Sequence, residues 1–152
     1  MGAQAVKFVG IKGEHADQLG KAAVERTLKK HNPEEVTPQS NTDAAGGHQI
    51  TVATTYQNGS DQIALYLETS APSEGLKKHY FVNVSAFQCE DTSCEDSSQA
   101  AKSSIHSGPA RRLPGGGHAP KAVYLGDFNG DGNKDILVVM ANGAGLVMYQ
   151  QK

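Results

Sequence analysis

Apolar and polar residues alternate along three stretches of this chain. In residues 49–56, Ile50, Val52 and Thr54 alternate with Thr51, Ala53 and Thr55. In residues 62–68, Ile63, Leu65 and Leu67 face one way. In residues 79–87, Tyr80, Val82 and Val84 fall on one face and Phe81 on the other. A period of two marks a strand with one buried side. Asn58-Gly59 between the first two stretches predicts a hairpin. Residues 5–11 read as a further strand, and residues 33–47, rich in Pro, Thr, Ser, Asn and Gly, as loop. Residues 14–31 have the helical period instead. Ala16, Leu19, Gly20, Ala23, Val24, Thr27 and Leu28 share one side, and Asp17, Lys21, Glu25 and Lys29 another. Asn32-Pro33 stops that helix. Its stripe of small residues suits close packing on a sheet. The expected fold is a single α+β domain over residues 1–152, a mainly antiparallel β-sheet of six or seven strands with one N-terminal helix.

Residues 90–120 break the pattern. They are rich in Ser, Gly, Pro and charge, and include Pro114-Gly115-Gly116-Gly117-His118. Thirty residues exceed an ordinary connection, so the stretch reads either as a flexible insertion or as a functional loop. Arg111 and Arg112 could hold a carboxylate or phosphate, and with Leu113 they are the candidate contacts to a partner. As a phosphate cradle the glycines fail, because no Lys-Ser/Thr follows and no helix opens there.

Beyond it, two short apolar runs, residues 122–125 and 136–140, flank Asp127-Phe128-Asn129-Gly130-Asp131-Gly132-Asn133-Lys134-Asp135. A last strand, residues 145–149, pairs back across Asn142-Gly143. Oxygen donors stand at loop positions 1, 3, 5, 7 and 9, with Gly132 at 6. That arrangement suits a hard cation, Ca²⁺ above all. Asp127, Asn129, Asp131 and Asp135 offer side-chain oxygens, and Asn133 its backbone carbonyl. The alternative is an Asp/Asn/Gly turn stabilised by its own side chains. A helical EF-hand is excluded: position 12 is Val138, and the flanks are strands.

The frame of strand, Asp loop and strand resembles the repeats of FG-GAP and VCBS proteins. The resemblance covers residues 121–149 and implies a Ca²⁺-ligand role for Asp127, Asn129, Asp131, Asn133 and Asp135. Only one such motif is present, whereas a propeller needs at least four blades.

Composition narrows the partners. Fourteen basic residues against sixteen acidic give a net charge of −2, with no basic stripe interleaved with aromatics. Nucleic-acid binding has no electrostatic footprint here. No apolar run is long enough to span a membrane. The two cysteines, Cys89 and Cys94, close a short acidic stretch, and the spacing suits a disulfide; two free thiols are the alternative. A disulfide, together with a calcium loop that fills at extracellular concentrations, predicts a periplasmic or secreted protein. The first residues, Met1-Gly2-Ala3, carry no signal-peptide pattern, so the signal is expected to be missing from this sequence. Asn58-Gly59-Ser60 and Asn83-Val84-Ser85 are glycosylation sequons.

Catalytic motifs are lacking. The six histidines are scattered with no HExxH, and there is no G-x-S-x-G elbow. The expectation is therefore a non-enzyme. Three function classes stay open. One is an exported calcium-binding protein-interaction module with structural Ca²⁺. The second is an extracytoplasmic inhibitor or immunity protein that blocks a partner enzyme through residues 97–118. The third is a hydrolase with an unrecognised site.

Overall fold

The computed structural model describes residues 7–8, 16–42, 48–58, 61–70, 80–89, 102–107, 110–114, 118–130, 132 and 134–151. These residues form one helix and thirteen strands, every pairing antiparallel. The strands lie in three sheets rather than the single sheet expected.

Strands β10 (Pro120–Gly126), β11 (Asp135–Met140) and β12 (Gly145–Met148) build the middle of a five-stranded sheet. Every residue of β11 and β12 is buried. The cause is that both faces of this sheet are covered. Ile136, Val138, Met140, Leu146 and Met148 pack into the main core, while Leu137, Val139 and Val147 pack beneath the helix. An unbroken apolar run is what a doubly covered strand requires.

Helix α1 (Lys21–His31) covers the outer face through Val24, with Leu28 partly buried beside it. It is shorter than the helix expected over residues 14–31. Residues 16–19 are β2 (Ala16–Leu19), which pairs with β12 and satisfies an edge that would otherwise lack backbone partners. That pairing overrides the local helical period, and extended Gly20 (φ −76°, ψ 172°) separates the two elements. At the other end Asn32 adopts the left-handed conformation (φ 45°) and donates its N–H to Leu28 O, closing the helix ahead of Pro33.

The segment expected as loop over residues 33–47 holds two edge strands. β3 (Glu34–Val36) pairs with β10, and β4 (Gln39–Thr42) pairs with β5 (His48–Asn58) in the second sheet. The chain thus crosses between sheets at Thr37-Pro38. Edge strands need no alternating apolar pattern, which explains why polarity hid them.

The second sheet has the order β4-β5-β6-β7-β8, with β6 Asp61–Ser70, β7 Phe81–Cys89 and β8 Lys102–Ser107. The β5–β6 hairpin is the one the alternation predicts. Ile50, Val52, Ile63, Leu65, Leu67, Val82 and Val84 meet the five-stranded sheet in one core. A two-stranded sheet joins β1 (Lys7–Phe8) to β13 (Gln150–Gln151). The layering is helix, sheet, sheet. The expectation of a mainly antiparallel β-sheet protein with one helix therefore holds.

Residues 90–120 are not one long connection. β8 continues the second sheet, and β9 (Arg111–Arg112) pairs with the start of β7. Leu113 is fully buried in the core and donates its N–H to Tyr80 O at 2.7 Å. It fills space between the sheets, so its expected role as a partner contact is corrected. Residues 90–101 lie outside the described residues.

Candidate functional site

The β10–β11 connection carries the Asp loop. Its entry is pinned to the helix end. A Cβ on Gly126 would come within 2.8 Å of Pro33 Cβ, and Phe128 meets His31 edge-on at 5.6 Å between ring centroids. Gly130 (φ 79°) and Gly132 (φ 86°) take the left-handed conformations that wrap the loop. The carboxylates at its two ends bond into its backbone. Asp127 Oδ1 accepts from Gly130 N–H at 2.7 Å, and its Oδ2 from Gly132 N–H at 2.8 Å. Asp135 Oδ2 accepts from Phe128 N–H at 2.9 Å.

Asp127 is half-buried, Asn129 exposed and Asp135 wholly buried, at 0% exposure. Asp131 and Asn133 lie outside the described residues. Among the described residues, no three His, Cys, Asp or Glu side chains gather into a metal-sized cluster. A carboxylate offers about four lone-pair positions, so one group can accept from backbone N–H groups and ligate an ion as well. The same bonds also serve a loop that closes on itself.

The negative charge of Asp135 reaches two phenols. Tyr56 is held protonated well above its usual range by burial first and by Asp135 second. Tyr149 is raised by burial, by its 2.7 Å hydrogen bond to Asp17 Oδ2, and then by the charges of Asp17 and Asp135. The hairpin expected across Asn142-Gly143 already brings Tyr149 beside position 135, with Ile136 opposite Met148, whereas no pattern in the sequence places Tyr56 there.

Elsewhere, Arg112 is exposed and Arg111 half-buried, and burial lowers the Arg111 pKa. The two arginines are adjacent on β9, while Leu113 has left their surface. Cys89 is buried at the end of β7 and is disulfide-bonded; Cys94, the chain's other cysteine, lies outside the described residues. The Asn83-Val84-Ser85 sequon runs within β7, with Asn83 Oδ1 buried, unlike the exposed loop that glycosylation uses. Among the described residues, no helix is long and apolar enough to cross a membrane.

No family model, curated protein or solved structure matches this chain.

Proposed function

We propose that this protein is an exported calcium-binding module that acts by binding a protein partner, with Ca²⁺ as a structural clip on the Asp loop. The observation that carries this reading is the wholly buried carboxylate of Asp135 at the end of a loop whose other end is also a carboxylate. Asp135 Oδ2 already accepts from Phe128 N–H, and a carboxylate held in this way can also ligate a divalent cation. Asp127, Asn129 and Asp135, with Asp131 and Asn133 from the loop's centre, would hold it. The FG-GAP/VCBS-like motif over residues 121–149 supports the same assignment. The disulfide at Cys89 supports an oxidising location, periplasmic or secreted.

Ca²⁺ bound only by the folded state stabilises it by about 2.7 kcal/mol at a hundredfold excess over Kd. The melting temperature should fall on adding chelator, recover with Ca²⁺, and lose this response in Asp127→Ala. A melting temperature indifferent to chelator and Ca²⁺ refutes the clip.

The partner reading draws on β9, whose paired arginines offer charge-assisted bonds to carboxylates. An inhibitor acting through residues 97–118 would use the same two side chains. Arg111→Ala/Arg112→Ala should weaken capture of the native partner from the source organism's extracytoplasmic fraction. Unchanged capture by the double variant removes β9 from the interface.

A further inference from the structure

We propose that the outer face of the second sheet binds one small polyhydroxylated ligand, a single sugar ring. The β4–β7 registers line up two rows of side chains across this face. Gln39 stands opposite Thr51, Thr51 opposite Glu68, and Glu68 opposite Asn83. One step along, Ala53, Tyr66 and Ser85 form the second row. Directly opposed side chains lie about 5 Å apart at Cβ, so the first row is a continuous polar strip and the second sets the Tyr66 ring between Ala53 and Ser85.

These rows are not a flat solvated surface. They line a cavity of about 280 Å³, walled at the β3–β4 crossing by Thr37 and Gln39. Ligand pockets run from roughly 300 Å³ upward, so this one admits a single small molecule rather than a peptide or an extended chain. Within it, Asn83 Oδ1 is buried with no hydrogen-bond partner. A buried acceptor left without a donor is costly, and a turn of the Asn83 amide about χ2 would present it to a ligand hydroxyl in the cavity.

The lining selects the ligand. Glu68 accepts only, Asn83 has an acceptor to satisfy, and Thr51 and Ser85 can accept as well as donate. The ligand must therefore bring donors. Among the described residues no Lys or Arg lines the cavity, which argues against an anion. One carboxylate among neutral amides and hydroxyls is a weak attraction for a cation, since Glu68 is exposed and its charge screened. Tyr66 supplies an apolar ring, set edge-on against Phe87 at 5.6 Å between centroids. A sugar combines one C–H face for such a ring with hydroxyls at its rim.

The site is separate from the Asp loop, so Ca²⁺ is kept present throughout its test. Backbone amide shifts of the full chain are followed by NMR against methyl glycosides of hexoses, pentoses and N-acetylhexosamines, with spermidine as the cationic control. At least one glycoside should shift the amides of Thr51, Tyr66, Glu68, Asn83 and Ser85 saturably. Asn83→Ala should weaken it about tenfold, and Glu68→Gln, at an exposed position that folding tolerates, by severalfold. The proposal is overturned if no glycoside saturates, if the shifts fall elsewhere, if spermidine alone binds these rows, or if folded Asn83→Ala and Glu68→Gln both bind as the parent does.

Discussion

At position 145 a single methyl group would meet three atoms at once. A Cβ on Gly145 comes to 3.0 Å from Leu137 Cδ1, Val138 O and Val24 Cγ2. Two belong to the helix–sheet contact and one to backbone that cannot yield. Gly145→Ala should therefore cost about 1–3 kcal/mol in urea unfolding, as overpacking does; a loss under half a kcal/mol would mean that the helix shifts freely. Tyr149 gives a second test, in pH. Burial and Asp17 keep its phenol protonated, so the folded state holds that proton more tightly than the unfolded one. Its contribution to stability is whole below the unfolded pKa of about 10 and is lost as pH rises beyond it. Melting temperature should fall as pH rises above about 10, less steeply in Tyr149→Phe. Equal slopes in the two proteins would remove Tyr149 as the cause. The sequence already exposed the acidic ends of the Asp loop, because ligand spacing is local. The proximity of Tyr149 to Asp17 was invisible there, since 132 residues separate the two.

Among the elements, legibility followed burial. The β5–β6 hairpin and the β11–β12 turn at Asn142-Gly143 were readable because each pairs alternating or apolar arms across a turn residue. Gly143 does take the positive φ such a turn demands (94°). Edge strands β2, β3 and β4 were not readable, since a strand with one neighbour is specified by its partner's free edge rather than by its own pattern. β2 even carried the helical period, and lost it to pairing with β12. β7 ends at Cys89, whose disulfide closes a short loop and so should contribute at the low end of about 2–4 kcal/mol. Alkylation without reductant should label no thiol, and reduction should lower the melting temperature by a few degrees. Two labelled thiols in the native protein would contradict the bond.

For the molecule as a whole, the consequence of residues 102–107 and 111–113 joining the fold concerns how the segment can be tested. Read as an insertion, the stretch from 98 to 118 could be exchanged for a short linker without harm. In the folded chain that exchange removes the edge strand β8, the β9 pairing and the Leu113 side chain from the core between the sheets. Losing a wholly buried Leu costs about 2–5 kcal/mol by itself. Domains of this kind are stable by only about 5–15 kcal/mol, and the second sheet would also gain a bare β7 edge. The linker exchange should therefore leave a protein with no cooperative unfolding transition. Leu113→Ala should fold but melt well below the parent, and Arg112→Ala, at an exposed position, should stay within about half a kcal/mol. Circular dichroism melts of the three variants decide it. A linker variant that unfolds cooperatively near the parent temperature would return the segment to the status of an insertion. If instead the order is as stated, partner binding has to be probed through Arg111 and Arg112 on an intact chain, because cutting the segment out confuses a lost interface with a lost fold.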